Sequence, residues 1–573
     1  MGGAVSNFRV GVSACRGALT AGFLDNVLVA KGYRPVNRDQ QFLLPPDMRE
    51  WVPPTHPVWT VIEIVDTHLD TSAFHGARRT GGAGRAGYDP DMLVTLLVWA
   101  WSRGMRSSRQ IERACSEVVS YRVICAGDAP DHVTISRFRK DNHTACQALF
   151  TQVLILAARL GLGRLETIAL DGVKIASNAS KDANRTEDGL RRAAEAEAAR
   201  IAAAAVAAHA AGDDAEDDLY GEDDPGPGQV PAELADPSTR SARIAEALAQ
   251  LDAEKQAERC ERDGKAQDYL ARLDAGETVM GRVPVGAEVA AAERRLAEAV
   301  AAQHAVIERF QGRIAAGGGG TRFAPKPVDE HHLVRRRRTE LDTALRKQGE
   351  RTAAAGQRRR NTTDPDSRLQ PLRGGGWVQG YNCQAFTSED GLILATGVGT
   401  GPADYDYFPE MVDKAGAAAQ LIDTTRRGAN PAHPDPAAPT PEELIGVMLF
   451  DAGYCSRENL TAPGADRLIA TGKSRDLHRA AADDPASGPA DTDDPLLAMA
   501  HRLRTEAGIA TYRKRSPIAE TVFGHAKHNL GFRRFTSRGL DRARSEWAFH
   551  AAVHNLGKIL THLTGGTPLP ATG

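Results

Sequence analysis

Apolar positions repeat with a helical period in the first part of the chain. An apolar run from Met92 to Trp101 follows Tyr88-Asp89-Pro90, and a second helical run starts at Ser107 or Ser108, a residue type that caps helices. A polar, basic run at Asp131–Lys140 has the length of a third helix. We predict a helical domain at 61–155, after an irregular segment at 1–60 that ends in a proline-rich stretch.

The basic third run has two interpretations. Two short helices before a basic one are typical of a helix-turn-helix-like DNA reader, in which Arg137 and Arg139 would face DNA. A packing helix with a solvated basic face gives the same pattern. The sequence leaves both interpretations open.

Strand-like runs appear later in the chain. Leu165–Leu170 and Ile445–Phe450 are continuous apolar runs, and the second is typical of a strand buried on both faces. Tyr381–Thr387 and Leu392–Thr396 predict a hairpin, because a turn-forming Glu389-Asp390-Gly391 joins them. Helices are predicted at Phe408–Leu421, Ile518–Asn529 and Leu540–Leu563. Together these runs predict an α/β domain of mixed type at 160–185 and 361–563, with a tail at 564–573.

Residues 186–360 interrupt this domain with a different composition, rich in Ala, Glu and Arg. Apolar residues there recur at heptad spacing, which indicates the seam of a coiled coil. The longer seam comprises Val289, Leu296, Val300, Ile307, Phe310 and Ile314, and a shorter one comprises Ile244, Leu248 and Leu251. We predict an inserted helical hairpin or coiled coil with partly disordered connections.

Length and charge add constraints. The 573 residues exceed the roughly 250–300 that one core usually holds, so we expect several domains. The net charge is −3, yet residues 501–560 hold twelve Lys or Arg against four Asp or Glu, and acid is concentrated at Asp213–Asp224. A local basic face is what phosphate binding requires, whatever the total.

Cysteine usage and the absence of long apolar runs indicate a cellular location. The seven cysteines form no CxxC pair, which fits a reduced protein better than a disulfide framework. No run reaches the ~18 apolar residues of a membrane span, and the N-terminus lacks an export signal. We expect a cytoplasmic protein with no membrane partner.

Three acids occupy predicted positions at strand ends and on a helix, where they could bind metal ions. Asp171 and Asp451 each follow an apolar strand, and ligand sites of α/β sheets lie outside the carboxyl ends of strands. Glu520 is predicted on a helix that Ser516 caps and Pro517 begins, with Lys527 two turns further along nearly the same face.

Clustered carboxylates repel one another unless a cation joins them. Hard oxygen ligands hold Mg²⁺ (or Mn²⁺), and a pair of such ions about 3.5–4 Å apart can activate one oxygen of a phosphodiester and stabilise the other. Each acid also has an ordinary interpretation, as a turn former or as a partner of the helix dipole. Taken singly, these ordinary interpretations are favoured.

The sequence motifs around all three acids resemble those of bacterial insertion-sequence transposases of the DDE type. The matching phrases extend from about residue 40 to 563 outside the insertion. In the sheet-forming part they are Asp171-Gly-Val-Lys-Ile-Ala-Ser-Asn-Ala-Ser180, Thr363-Asp-Pro-Asp-Ser-Arg368, Gly380-Tyr-Asn-Cys-Gln384, Asp451-Ala-Gly-Tyr454, Glu520-Thr-Val-Phe-Gly-His-Ala-Lys527, Phe535-Thr-Ser-Arg-Gly539, Glu546-Trp547 and His554-Asn555. The phrases Tyr88-Asp-Pro90, Arg106-Ser-Ser108 and Ser136-Arg-Phe138 are similar to the helical domain of the same group.

The resemblance implies a fold and roles for the residues. The fold is an RNase H-like mixed sheet flanked by helices, with an all-α N-terminal domain and the insertion emerging between the first two strands. Asp171, Asp451 and Glu520 become the catalytic, metal-binding triad, with Mg²⁺ or Mn²⁺ as cofactor. Tyr512, Arg515 and Lys527 match a Tyr-Arg-Glu-Lys signature whose basic groups contact DNA. The interval from Arg515 to Glu520 is one residue longer than in that signature, so Arg513 is an alternative.

The predicted function is binding of an element's terminal inverted repeats, metal-dependent cutting of its ends, and strand transfer into target DNA. The partners are double-stranded DNA, as ends and target, and further copies in a homodimer or higher multimer. Further DNA contacts are expected from Arg533, Arg534 and Arg538. Two alternatives stay open, namely a nuclease or resolvase without strand transfer, and a non-catalytic DNA-binding regulator.

Several other motifs are too weak to predict a site. Gly82-x-Gly84-x-x-Gly87 matches a dinucleotide fingerprint but follows no strand. His550 and His554 have metal-ligand spacing, yet the glutamate of a zinc-protease motif is missing, so core or DNA-facing histidines are expected. Cys455 is expected to pack. The basic runs Arg335–Arg338 and Arg358–Arg360 fit phosphate binding and solvated helix faces equally.

Overall fold

The computed structural model describes most of the chain. The described residues are 47–75, 87–211, 237–275, 283–317, 324–354, 358–372, 374–428 and 438–565. The chain divides into Met1–Asp47 and Met48–Gly573, and every element below belongs to the second unit. Most of the predicted irregular segment, the acidic run, most of the tail and most of the glycine fingerprint lie outside the described residues.

Among the described residues, seven α-helices precede the sheet. They are α1 (Pro57–His68), α2 (Ser72–His75), α3 (Pro90–Ser102), α4 (Ser108–Glu117), α5 (Val119–Ile124), α6 (His132–Asp141) and α7 (His143–Arg159). The apolar and basic runs predicted as helices form α3, α4 and α6, and Asp131 caps α6 by accepting a hydrogen bond from the Thr134 amide at 2.8 Å. Helix α1 begins inside the segment predicted to be irregular, because Pro57 suits a first helical position.

The described residues form a six-stranded mixed sheet and a small two-stranded one. The strands are β1 (Thr167–Ala176), β2 (Asn184–Thr186), β3 (Arg359–Asn361), β4 (Arg368–Pro371), β5 (Trp377–Ser388), β6 (Ile393–Gly399), β7 (Val447–Phe450) and β8 (Arg467–Ile469). The large sheet has the order β4-β5-β1-β7-β8, with β6 paired to β5, and β2 pairs with β3. The mixed sheet flanked by helices confirms the predicted fold class.

The strand carrying Asp171 is longer than the apolar pattern predicts. Strand β1 runs antiparallel to β5 from Ile168 to Ala176, whereas its parallel pairing with β7 stops at Ala169. The prediction that this strand ends at Asp171 is therefore wrong. The residue lies inside β1, because β5 continues to satisfy the backbone on one side after β7 has ended on the other.

The insertion is helical, as predicted, and its first two helices contact the small sheet. Its helices are α8 (Glu187–Ala211), α9 (Pro237–Asp274), α10 (Glu288–Ala315) and α11 (His332–Ala354). The short seam is confirmed, because Ile244 and Leu251 pack with Leu190 of α8. The basic runs carry ion pairs within the chain, including Arg338 with Asp329, Arg337 with Glu340 and Arg358 with Glu258.

The last part of the chain adds the helices that complete the domain. They are α12 (Phe408–Arg426), α13 (Pro441–Leu444), α14 (Arg457–Thr461), α15 (Ser474–Asp483), α16 (Pro495–Arg504), α17 (Glu506–Tyr512), α18 (Arg515–Gly524) and α19 (Leu540–Thr564). A π-helical turn, His525–Asn529, directly continues α18. No helix among the described residues is long and apolar enough to cross a membrane.

The helix that bears Glu520 starts earlier than predicted. It begins at Arg515 after Lys514, so the predicted cap at Ser516 is wrong. Arg513 and Lys514 already have helical backbone angles, which carry the end of α17 into α18. Pro517 still fits, because it lies in the first turn, where its missing N–H costs no helical hydrogen bond.

The N-terminal helices share one hydrophobic core with the sheet and with α19. Trp101 of α3 meets Phe549 of α19 edge-on at 4.9 Å between ring centroids. A second cluster on the sheet joins Ala169 and Leu449 to Tyr512 and Ile518 of α17 and α18. The helical region at 61–155 is therefore packed against the sheet rather than tethered to it.

Candidate active site

Strand pairing brings two of the three acids to the same level. In the parallel pair β1 and β7, Ala169 lies opposite Leu449. Asp171 and Asp451 each come two residues later, so both follow the last paired position by the same distance along their strands. Asp171 is 8% exposed and Asp451 is half-buried. The register therefore places the two carboxylates side by side at the carboxyl end of the parallel pairing.

Helix α18 supplies the third acid together with a cation. Arg515 lies between two acids, with its Nη2 3.2 Å from Glu520 Oε1 and its Nη1 3.7 Å from Asp171 Oδ2. The Arg515 side chain is only 10% exposed, whereas that of Glu520 is 56% exposed. One guanidinium thus joins the helix to the strand and leaves Glu520 facing solvent.

The electrostatics of Arg515 tie all three acids into one cluster. Burial alone would lower the pKa of Arg515, but Asp171, Tyr512, Asp451 and Glu520 outweigh it and raise that pKa. Because three carboxylates outnumber one guanidinium, the cluster keeps a net negative charge. Arg515 Nη1, although buried, makes no hydrogen bond within the described part of the chain.

The donor set fits a hard divalent cation. Three carboxylates with excess negative charge are what Mg²⁺ and Mn²⁺ prefer. The carboxylates do not all approach within 4.8 Å of one another, since Arg515 lies among them. Within the described ranges only His75, Asp89 and Asp91 meet that spacing. That group has a structural explanation, because Asp89 caps α3 and His75 pairs with Asp91 at 2.8 Å.

Lys527 lies in the π-helical turn that follows the helix of Glu520. It is half-buried, and burial lowers its pKa, which Cys383 and Asp171 partly offset. Asp171 is one of the charged groups that act on Lys527, so the ammonium lies within electrostatic range of the first acid. A π-turn changes the helical register, so the predicted alignment of Lys527 with Glu520 along one regular helix face is wrong.

A basic loop extends the sheet at the end of β1, next to Ala176. The Phe535 amide donates to Ala176 O at 2.8 Å and the Ala176 amide to Arg533 O at 3.3 Å, so residues 533–535 run parallel to the end of β1. Arg533 and Arg534 are exposed there. Arg538 Nε donates to Asn178 O at 2.9 Å, just beyond β1. These arginines and Lys527 are called the basic rim below; the arginines lie at the end of the strand that carries Asp171, and Lys527 follows the helix that carries Glu520.

The other predicted DNA contacts lie in different surroundings. Tyr512 is buried, and burial first and then Asp451 and Asp171 raise its pKa, against the effect of Arg515. Arg513 is exposed at the end of α17. On α6, Arg137 is exposed, while Arg139 is half-buried and donates to Arg106 O at 3.3 Å. Tyr512 and Arg515 therefore lie near the acids, whereas the side chains of Arg513 and Arg137 are exposed to solvent.

The two histidines declined as a zinc site belong to the core, as expected. His550 is 1% exposed and stacks on Trp547, and His554 contacts His525. Burial lowers the pKa of both His550 and His554. Cys455 packs against the main hydrophobic cluster.

Sequence reasoning missed one acid close to the triad. Asp404 Oδ1 accepts from Lys174 Nζ at 3.1 Å, Asn382 Nδ2 at 2.8 Å and Gln384 Nε2 at 3.1 Å. Asp404 follows a glycine-rich loop rather than an apolar run, so strand patterning gave no signal for it. The only available signal was the polar pair Asn382 and Gln384 inside a predicted strand.

Two family models match parts of the chain. The one described as Transposase domain (DUF772) matches residues 46–141, and the one described as Transposase DDE domain matches residues 490–560. The second segment contains Glu520 and the whole basic rim, while Asp171 and Asp451 lie outside both. No curated protein and no solved structure matches the chain significantly.

Proposed function

The chain is an insertion-sequence transposase of the DDE type, and from that premise we propose that it cuts the ends of its own element and joins them to target DNA. One observation carries the proposal. Asp171, Asp451 and Glu520, from two strands and a helix far apart in sequence, gather around Arg515 at the carboxyl end of the parallel strands. The basic rim, at the end of β1 and in the π-helical turn after α18, supplies positive charge for DNA phosphates.

In this proposal the three carboxylates hold divalent metal, Mg²⁺ or Mn²⁺. When bound, two such ions supply a nucleophilic oxygen at neutral pH and stabilise the leaving oxygen. The protein contributes placement: the strands fix Asp171 and Asp451, and α18 carries the solvent-facing Glu520. The Arg515 guanidinium holds the acids together through its contacts with Glu520 and Asp171.

The basic rim is proposed to hold the phosphate backbone. Arg533, Arg534 and Arg538 neutralise phosphates and set the register of the DNA without reading its sequence. In the cut, a water oxygen bonds to phosphorus and the 3′ oxygen leaves, taking a proton to become the 3′-OH. In the joining, that 3′ oxygen loses its proton, bonds to a target phosphorus and displaces a target 3′ oxygen. No covalent protein intermediate is needed.

Binding of the inverted repeats is assigned to the N-terminal helices, with Arg137 and Arg139 of α6 as candidate contacts. Because two ends must be joined together, we propose that the protein acts as a homodimer or higher multimer on DNA, in the bacterial cytoplasm.

Strand transfer tests this proposal directly. Pre-cut element ends bearing a 3′-OH are mixed with supercoiled target, Mg²⁺ and the full chain, and joined products are separated on a gel. We expect joining by the wild type, and loss of about 10³-fold or more for Asp451→Asn, since removing a key electrostatic group costs on that order. Asp413→Asn is the matched control, because Asp413 is exposed on α12.

The alternatives give different results in this assay. A nuclease or resolvase cuts uncut ends but joins none, and a regulator binds DNA without either reaction. Unchanged cutting and joining by Asp451→Asn would show that the proposed triad is wrong.

A further inference from the structure

A polar network lies on the side of β1 away from the Asp171 carboxylate. Side chains alternate between faces along a strand, so Gly172 and Lys174 face opposite to Asp171. In the antiparallel register Gly172 lies opposite Gln384, and Lys174 lies opposite Asn382. All three polar side chains donate to the same oxygen, Asp404 Oδ1.

Asp404 has little freedom to move within this network. Its side chain is 24% exposed and that of Lys174 is 15% exposed, while Asn382 and Gln384 are fully buried. Lys174 Nζ also donates to Pro402 O at 2.9 Å, which fixes the loop that carries Asp404. A carboxylate that accepts three hydrogen bonds in a partly buried place is held at one position.

The same network extends to the turn that carries Asp451. Tyr454 is fully buried, and its hydroxyl donates to Gln384 Oε1. Asp451 Oδ1 accepts from the Gly453 amide at 2.8 Å. Both ends of the turn are thereby fixed, one by the network and one by the acid itself.

Two glycines let Asp404 approach the backbone on both sides. A Cβ atom at Gly172 would lie 3.0 Å from Asp404 Oδ1. A Cβ atom at Gly453 would lie 2.9 Å from Asp451 Oδ1 and 3.3 Å from Asp404 Oδ2. Asp404 therefore fills the space between the strand of the first acid and the turn of the second.

From this placement we infer that Asp404 is a positioning residue of the metal site. Together with Lys174, Gln384 and Tyr454 it fixes the separation of Asp171 and Asp451, and it adds a negative charge behind them. The inference rests on the proposed function, since it concerns how the proposed metal ligands are held. Residues behind metal ligands commonly change metal affinity 10- to 100-fold when substituted.

Mn²⁺ binding to the full chain without DNA tests the inference, with free Mn²⁺ measured by electron paramagnetic resonance. We expect Asp404→Asn to weaken Mn²⁺ binding about tenfold or more. DNA binding in EDTA should be unchanged, because the network touches none of the basic rim. Asp406→Asn is the matched control, since Asp406 is an exposed acid two residues away and should bind Mn²⁺ like the wild type.

Tyr454→Phe gives an independent variant, because it keeps the buried ring and removes only the hydroxyl that reaches Gln384. If Asp404→Asn does not fold, the result for Tyr454→Phe decides by the same criteria. Folded variants of both kinds that bind Mn²⁺ within about twofold of the wild type would overturn the inference and leave the proposed function standing. A wild type that binds no Mn²⁺ would instead remove the metal site itself, and the inference with it.

Discussion

Arg515 places one positive charge among three carboxylates, and nine-tenths of its side chain is removed from water. Buried charges are costly unless partners compensate them. Arg515 and Asp171 are both buried, so each depends on the other. In this view the guanidinium takes the role of the cation while no metal is bound.

Arg515→Gln should therefore destabilise the metal-free protein, by about 3 kcal/mol, because it removes the guanidinium charge that faces the buried Asp171 carboxylate. Added Mg²⁺ should restore part of the loss, since a ligand that binds only the folded state stabilises it. Urea denaturation in EDTA and in Mg²⁺ measures both values. Arg513→Gln is the control, because Arg513 is exposed and lies only two residues away. An equal loss with and without Mg²⁺ would contradict the compensating role.

The buried histidines predict acid sensitivity. Burial lowers the pKa of His554 from 6.5 to about 4, against the opposing hydrogen bond to Gly391 O, and it lowers the pKa of His550 as well. The unfolded chain takes up these protons below pH 6.5, and the folded chain does not. Stability is therefore complete above pH 6.5 and falls as the pH drops toward 4, by about 3 kcal/mol from His554 alone.

His554→Gln tests this assignment, because the amide keeps a donor for Gly391 O and removes the titration. The difference in unfolding free energy between wild type and variant, followed by urea denaturation from pH 7 to pH 4.5, should shrink as the pH falls. A difference that stays constant with pH would show that His554 does not titrate on unfolding.

For individual residues, the predictions from sequence differ from the structure where the role of a side chain depends on its burial and on nearby charges. Glu520 and Lys527 can be predicted from the sequence because the motif that contains them resembles a transposase motif. The burial of Arg515 cannot, because an arginine in a basic stretch looks like a surface residue until α18 packs it on β1. Asp404 is invisible for a similar reason, since its three donors come from two strands that are distant in sequence.

At the level of elements, the long antiparallel pair β1 and β5 carries the site. Gly380 lies opposite Ala176 in that pair, and a Cβ atom there would collide with the carbonyl oxygen of Ile175. The backbones meet too closely at this point for any side chain.

Gly380→Ala should destabilise the protein by more than about 3 kcal/mol or prevent folding, because backbone cannot yield as a flexible side chain can. The matched control is Gly349→Ala in α11, where a Cβ atom meets nothing within 4 Å. That change should stabilise by about 0.5–1 kcal/mol through helix propensity. Thermal unfolding distinguishes the two, and similar midpoints for both variants would contradict the steric argument.

A second element-scale feature is the loop that carries the basic rim. Arg106 donates to Arg534 O at 2.9 Å and to Gly531 O at 2.6 Å, and its guanidinium lies 4.4 Å from the Phe532 ring centroid. Burial lowers the pKa of Arg106, and Glu546 offsets part of that shift. The loop thus depends on a residue between α3 and α4 for its shape.

Arg106→Ala should loosen the loop, costing about 2 kcal/mol of stability and weakening DNA binding, since it removes two hydrogen bonds from a charged donor to the loop carbonyls. Urea denaturation and fluorescence anisotropy with end DNA measure the two effects. Arg109→Ala on the exposed face of α4 is the control. Normal DNA affinity of a folded Arg106→Ala protein would mean that the loop keeps its shape without this contact.

The elements were predictable where one pattern dominates. Strand β7 and helices α3, α12 and α19 follow directly from apolar runs, because both faces or one whole face of each is buried. The end of β1 and the start of α18 were not, since a neighbouring strand and a preceding helix decide them. The local pattern of apolar residues does not show whether one neighbouring strand or helix extends further than another.

Over the whole molecule, a net charge of −3 conceals a local excess of positive charge. The basic runs of the insertion are largely neutralised by acids of the insertion, whereas Arg533 and Arg534 are exposed on the loop at the end of β1. The proposed DNA path follows the second set.

Replacing Arg533 and Arg534 together by alanine should weaken DNA binding at low salt and reduce the slope of log K against log salt concentration by about 2. Anisotropy titrations between low and physiological salt give the slope. Arg427→Ala is the control, because Arg427 pairs with Asp423 on α12. A slope that does not change would remove these two residues from the DNA path.

The shared core has a consequence for how new DNA specificity can evolve or be engineered. Trp101 touches both Phe549 and Phe532, so α3 and α19 must change together if either is replaced. The N-terminal helices proposed to recognise DNA therefore cannot be exchanged for those of another protein by a cut at residue 155 alone. A working chimera has to carry α19 and the loop before it along with them, and it inherits a fixed spacing between the proposed recognition and cutting sites.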